Sequence, residues 1–158
     1  MDILLDTNLL ARCIQPSHPL HLAAVAAMKE LSARGDRLCI VPQVLYEYFV
    51  VCTRPPGEYG GLGMTNEIVI AELDRLTSLF EVLPDTPAIY SEWLKLITAH
   101  KIVGKRAHDT RLVAAMSVYG LKAFATFNFK DFTRFDTIET IDPAALAAAF
   151  LKRPAQTS

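Results

Sequence analysis

Short apolar runs alternate along this chain with longer stretches of helical period. Ile3-Leu4-Leu5 and Leu38 to Val41 are apolar throughout and bounded by polar residues, which predicts short strands buried on both faces. Phe80 to Leu83 and Ala123 to Thr126 read as a third and fourth strand, and Thr137 to Ile141 as a weaker fifth. Between them the pattern predicts helices from Leu20 to Ala33 with Gly35 as the stop, and from Pro42 to about Thr53. Proline suits that first-turn position, where its missing N–H has no partner to lose.

Pro55 to Gly63 is a loop rich in proline and glycine. A helix follows from Thr65 to Leu79, with Ile68, Val69, Leu73, Leu76 and Leu79 on one side, and another starts at Pro87, where Ile89, Trp93, Leu96 and Ile97 recur at helical period. After a basic loop from Lys101 to Arg106, a helix opens at Asp109 and carries Leu112, Ala115, Met116 and Tyr119 on one face until Gly120 caps it. The last helix runs from Pro143 to Leu151. Strands alternating with helices predict an α/β fold, a three-layer α/β/α sandwich with a central, mostly parallel sheet. Functional groups in such folds gather beyond the carboxyl ends of the strands. The expected organisation is one domain over residues 1–153 and a short tail over 154–158.

With 158 residues, 51% of them hydrophobic and 21% charged, the composition is that of a soluble globular domain. No apolar run reaches the roughly 20 residues of a membrane span, and no basic segment followed by an apolar one opens the chain, so the expected location is the cytoplasm. The net charge of −1 excludes a polycation that coats nucleic acid indiscriminately. Any RNA contact must be local, with Arg54, Lys101, Lys105, Arg106, Arg111 and Lys130 as candidates against a plain reading as solvated charge. Cys13, Cys39 and Cys52 form no C-x-x-C pair, and the four histidines show no H-E-x-x-H spacing, so neither a disulfide framework nor a zinc site is indicated.

The candidate chemistry is acidic. Asp6 directly follows the first strand, which places it at the carboxyl edge of the sheet; the alternative is a cap for the helix after it. Glu47 falls on or beside the apolar stripe of Val44, Tyr48 and Val51, where a carboxylate is costly unless paired with a cation, either a metal or an Arg or Lys. Asp109 shares a face with Leu112, Val113 and Met116, with simple capping of a helix start as its alternative. Asn128 lies just past the fourth strand, and Asp131 a turn further on reads first as a surface carboxylate. Two charges 4 Å apart repel by about 4 kcal/mol at an effective dielectric near 20. A hard divalent ion relieves that repulsion, polarises a phosphoryl oxygen and activates a water for in-line attack on a phosphodiester.

These segments resemble the PIN-domain family, and within it the VapC-type toxins of bacterial toxin–antitoxin pairs. The resemblance covers nearly the whole chain and is carried by Leu4-Leu5-Asp6-Thr7-Asn8, Gln43-Val44-Leu45-Tyr46-Glu47, Ala107-His108-Asp109-Thr110-Arg111-Leu112-Val113-Ala114 and Thr126-Phe127-Asn128-Phe129-Lys130-Asp131-Phe132. It implies Asp6, Glu47 and Asp109 as metal ligands, Asn128 as a further catalytic position, and Thr7 and Thr126 as supporting hydroxyls. It also implies Mg²⁺ or Mn²⁺, an RNA substrate, a homodimer, and a small VapB-like antitoxin that plugs the acidic pocket. Asn128 stands where many of these domains carry a fourth acid, which favours one tight ion over two unless Asp131 compensates.

Other readings stay open on the sequence: a scaffold that binds RNA or protein without catalysis, an RNA-processing nuclease that is not a toxin, and a phosphotransferase using Asp6 as nucleophile. The last usually needs an Asp where Asn8 stands. Gly60-Gly61-Leu62-Gly63 lacks the Lys-Ser/Thr of a phosphate-binding loop and reads as a flexible loop near substrate or partner. Trp93 and Phe124 read as core residues, while Phe129 and Phe132 are open between core packing and base stacking.

Overall fold

A computed structural model describes residues 1–152; residue 153 and the expected tail over 154–158 lie outside the described residues. Its centre is a five-stranded sheet of β1 (Asp2–Leu5), β2 (Arg37–Ile40), β3 (Glu81–Val82), β4 (Ala123–Ala125) and β5 (Glu139–Ile141). All pairs are parallel, in the order β3-β2-β1-β4-β5. The expected sheet is therefore present and wholly parallel. Ile3, Leu4 and Leu5 are completely buried, because helices cover the sheet on both sides and an apolar side chain finds cover whichever way the pleat turns it.

Among the described residues seven helices connect and flank the strands: α1 (Thr7–Cys13), α2 (His21–Ala33), α3 (Pro42–Thr53), α4 (Asn66–Leu79), α5 (Pro87–Ala99), α6 (Arg106–Tyr119) and α7 (Pro143–Leu151). The chain steps from β1 to β2 to β3 in one direction, then returns past β1 to β4. Right-handed crossovers put helices of the first two steps on one face and those of the return step on the other. Contacts follow that rule: α1 packs on α2 and α3, α3 on α4, and α7 on α2, while α5 and α6 pair on the opposite side. The order reverses between β1 and β4, so their carboxyl ends diverge and open a crevice.

Three expectations need correction. Helix α6 begins at Arg106, not Asp109, because Gly104 takes a left-handed φ of 62° and the helix starts immediately past that bend. The Ala107 carbonyl in its first turn is held by the indole N–H of Trp93 at 2.8 Å. Helix α6 is also buried on more than one face: Val113 and Ala114 join Leu112, Ala115 and Met116 in the core, since α6 is enclosed between the sheet and α5. Helix α4 presents a narrower stripe than expected, with Val69 and Leu76 buried but Ile68 and Leu79 half or more exposed. It covers only the β3 edge of the sheet, where less apolar surface is available.

Phe124 is fully buried on β4 and meets Phe132 edge-on, with ring centroids 4.8 Å apart. Phe132 lies in the single 3-10 turn Phe129–Phe132, so this aromatic pair ties the segment after β4 to the core. It answers the open question over Phe132 in favour of packing, while Phe129 stays half-exposed. We expect Phe124→Ala to destabilise the fold by about 3–5 kcal/mol, measured as a lowered urea midpoint with an unchanged slope.

Candidate functional site

Asp6 ends β1 and is the residue before α1. Its side chain does not cap that helix. It turns into the crevice, where Thr126 Oγ1 donates to Asp6 Oδ2 at 2.5 Å and Asn8 Nδ2 donates to the same oxygen at 2.7 Å. Thr126 is fully buried and follows β4 directly. Its hydroxyl also accepts from Asn8 Nδ2 at 3.2 Å and from the Asn128 backbone N–H at 3.0 Å. Asn8 completes the lock by accepting the Phe127 N–H on its Oδ1 at 3.2 Å. One acid, one amide and one hydroxyl thus bolt together the ends of β1 and β4. Asn8 has a structural task at the position where a phosphotransferase would need its second acid.

Glu47 comes from α3 and is half-buried. Gln43, one turn earlier on the helix, donates from Nε2 to Glu47 Oε1 at 2.8 Å. Thr7 Oγ1 lies 3.3 Å from both Glu47 Oε2 and the Val44 carbonyl, one hydroxyl proton shared between two acceptors. Gln43 is itself buried and fully engaged: its amide also donates to the His108 carbonyl at 2.9 Å, and its Oε1 accepts from Arg111 at 3.0 Å. Arg111 in turn bridges to Asp85 at 2.8 Å. This relay fixes the first turn of α6, and with it Asp109, against α3.

Asp6, Glu47, Asp109 and Asn128 line one cleft of about 400 Å³. The sequence places them in four separate segments; the fold brings all four to the crevice between β1 and β4. Asp109 is half-buried and Asn128 exposed. Asp131 raises the pKa of Asp109, so its charge is felt there although it does not line the cleft. Among the described residues, no Lys or Arg forms a salt bridge with Asp6, Glu47 or Asp109. Arg111, among the basic candidates, is spent on Asp85 and Gln43. Arg54 alone of those six faces the cleft.

Burial and mutual repulsion show in the titration of these groups. Desolvation, reinforced by the charges of Glu47 and Asp109, raises Asp6 from an ordinary 3.8 to about 6 despite the Thr126 hydrogen bond that opposes the shift. Burial and the charges of Asp131 and Glu47 likewise raise Asp109, against the weaker pull of His108 and Arg106. Among the described residues no three His, Cys, Asp or Glu side chains already enclose a point as an ion's ligands. The acids border a shared cleft instead. A set of carboxylate and amide oxygens around open space fits a hard cation that keeps several of its waters, as Mg²⁺ does.

The rest of the cleft lining was foreseen only in part, through Arg54 and the Gly60 loop. Arg12, Tyr46, Val50, Arg54, Tyr59 and Gly60 also border the cleft. Arg12 follows Asn8 by one helical turn, and Tyr46, Val50 and Arg54 recur at intervals of four, so periodicity read outward from Asn8 and Glu47 would have found them. The Gly-rich loop is stapled to the end of α3: Leu62, Gly63 and Met64 donate their N–H groups to the carbonyls of Val51, Arg54 and Cys52. A Cβ on Gly61 would stand 2.5 Å from the carbonyl oxygens of Arg54 and Pro55, which explains why only glycine fits that crossing.

Residues 3–138 match the model of the PIN domain. The chain belongs to the PIN-domain family. Ribonuclease VapC24 of Mycobacterium tuberculosis is 27% identical over 139 residues, spanning 88% of this chain and 94% of that protein. Among solved structures, VapBC2 from Rickettsia felis, bound to a DNA fragment from its promoter, superposes with a TM-score of 0.64 at 20% identity, over 90% of this chain and 100% of that one. The Sarcin-Ricin loop cleaving toxin VapC20 of Mycobacterium tuberculosis superposes with a TM-score of 0.56 at 20% identity, over 77% and 86%. These structural likenesses concern the fold, and the three-layer α/β/α architecture is theirs too.

The raised pKa of Asp6 has a consequence for stability. Its contribution is fully present below 3.8, where the carboxyl is protonated folded or unfolded, and is lost as pH rises through about 6. Once ionised, it weighs against the metal-free fold by on the order of 3 kcal/mol. Asp6→Asn is therefore expected to raise the melting temperature of the metal-free protein at neutral pH, with the gain shrinking as pH falls from 6 towards 3.8. Thermal melts across that range in the presence of a chelator check it.

Proposed function

We propose that this protein is a metal-dependent endoribonuclease and the toxin of a VapBC-type pair. The observation that carries this reading is the convergence of Asp6, Glu47 and Asp109 on one cleft with no basic residue, among those described, bridged to any of them. Three carboxylates so placed repel one another, and a divalent cation is the partner that their chemistry requires. Asp6, Glu47 and Asp109 would hold Mg²⁺ or Mn²⁺, with the Asn128 amide as a neutral fourth oxygen donor. When bound, such an ion polarises a phosphoryl oxygen and makes a water nucleophilic near neutral pH.

The chain's own groups do the positioning. Thr126 and Asn8 fix the carboxylate of Asp6, while Gln43 and Thr7 fix that of Glu47. The raised pKa of Asp6 makes it compete for a proton near neutrality, so metal binding releases protons and weakens as pH falls towards 6. The similarity to VapC24, and to structures solved as VapBC pairs, supports a small VapB-like antitoxin as partner; a homodimer as the working form is proposed on the family resemblance alone. The proposed location is the cytoplasm, where an RNA substrate is at hand. No helix among the described residues is long and apolar enough to cross a membrane.

Asp6→Asn and Asp109→Asn should each abolish RNA cleavage while leaving the circular dichroism unchanged. Thr126→Val should cost about 10–100-fold, the usual loss when a ligand's supporting group goes. Mn²⁺ should raise the melting temperature of the wild-type protein and leave that of Asp109→Asn nearly where it was. Full activity of both Asn variants, or cleavage that persists in EDTA, defeats the nuclease reading. A wild-type protein that neither cleaves RNA nor is stabilised by Mn²⁺ points to the non-catalytic scaffold. Toxicity on expression, relieved by co-expressing the product of an adjacent small reading frame, tests the toxin role against general RNA processing.

A further inference from the structure

Besides the acids, aromatic and cationic side chains line the cleft, and nothing in the metal chemistry uses them. Tyr59 is 92% exposed and Tyr46 66% exposed, both bordering the cleft. Tyr59 also has a left-handed φ of 44°, a conformation that non-glycine residues take at a cost and that clusters at binding sites. A large aromatic ring held in water by a disfavoured backbone turn gains nothing for the fold. The loop is braced to hold it there: Arg54 donates to the Tyr59 carbonyl at 3.2 Å and its guanidinium lies 5.8 Å from the Tyr59 ring centre.

Arg12 stands beside this loop. One of its guanidinium nitrogens donates to Gln15 at 2.6 Å, and another approaches Gly60, 4.0 Å from where a Cβ would sit. Neither Arg12 nor Arg54 has a salt-bridge partner among the described residues. Arg54 is the residue just past the end of α3, seven after Glu47 and so roughly 10 Å further along the helix axis. Two unpaired guanidinium groups flanked by two exposed rings, a short step from an acidic centre, match the pairing of phosphate and base that a single nucleotide strand offers.

We propose that Tyr59, Tyr46, Arg54 and Arg12 form the subsite for the nucleotide next to the scissile phosphate. Its base, unpaired, stacks on Tyr59, with Tyr46 as the neighbouring surface, and its phosphate meets the two guanidinium groups. This rests on the nuclease reading and assigns these residues to it; the stacked base must be unpaired, because a base inside a duplex cannot present its face to a ring. Tyr59 and Arg54 are substrate-positioning residues; the acids remain the reacting centre. A docking segment of a protein partner is the competing occupant of the same surface.

The test uses the full chain carrying Asp109→Asn, so that RNA survives the measurement. Fluorescence anisotropy is read with a labelled unpaired oligoribonucleotide and with the same strand annealed to its complement. Adding Tyr59→Ala should weaken binding of the unpaired strand about tenfold, Tyr59→Phe should restore it, and duplex binding should be insensitive to either. Adding Arg54→Ala should lower the slope of log affinity against log salt by about 0.7, the value for one phosphate contact on a single strand, whereas Tyr59→Ala should leave that slope unchanged. Equal affinity of the Tyr59→Ala and Tyr59→Phe proteins for the unpaired strand, or an unaltered slope with Arg54→Ala, overturns the subsite and assigns this surface to a protein partner. The wild-type protein with Mn²⁺ and the same strand keeps the two readings apart. Cleavage without a Tyr59 effect sinks the subsite alone; a Tyr59 effect without cleavage sinks the nuclease reading and reduces the subsite to a binding site for an unpaired strand.

Discussion

The site depends on a buried carboxylate held between two strand ends. Asp6 gains no cap hydrogen bond from its own helix and no basic partner; it is kept in place by Thr126 and Asn8, across the point where the sheet reverses direction. Parallel strands leave their carboxyl ends facing the same way, and the reversal removes the helix that would otherwise close the gap between β1 and β4. The fold thus produces a polar crevice at the edge of an apolar sheet. What fills it is decided by the residues one step past each strand, and here those residues are Asp6 and Thr126.

Around that lock, hydrogen bonds from neutral groups do what salt bridges do elsewhere. Gln43 satisfies Glu47, the His108 carbonyl and Arg111 at once. An arginine in its place would neutralise the carboxylate; the amide orients Glu47 without cancelling its charge. The same economy holds at Thr7 and Asn8. Negative charge therefore accumulates in the same cleft that Arg12 and Arg54 border, two guanidinium groups without a salt-bridge partner among the described residues, so a polyanion would meet a gradient of potential as well as a shape.

Much of this was legible in the residues. The strands announced themselves because both faces are covered, so each is an apolar run too short to be a helix. Asp6 was legible because it interrupts such a run, and Glu47 because a carboxylate beside Val44 and Tyr48 is out of place. The start of α6 was misplaced by three residues, since Asp109 looked like a cap while the boundary was set by the bend at Gly104. The α4 stripe was overestimated because periodicity reports which side is apolar and not how much neighbouring surface exists to cover it. The aromatic lining went unseen for a different reason: Tyr46 and Tyr59 are exposed, and an exposed ring leaves no mark in a pattern built on burial. Arg12 was hidden by its surroundings, lying in an apolar helix where one charge reads as a solvated edge.

The bond between Asp6 and Thr126 joins residues 120 positions apart. Every strand pairing in this sheet is parallel and therefore non-local, and β4 can join β1 only after the chain has made three crossovers, with β5 added beside it later still. Such contacts form late, because their loop-closure entropy must be met before they stabilise anything. A polypeptide emerging at about 5–20 residues per second has exposed Asp6 for on the order of ten seconds before Thr126 exists to hold it. A broken or prematurely ended product therefore lacks the crevice altogether. Competence at this cleft is a property of the finished chain, and no fragment that stops short of the fourth strand can possess it.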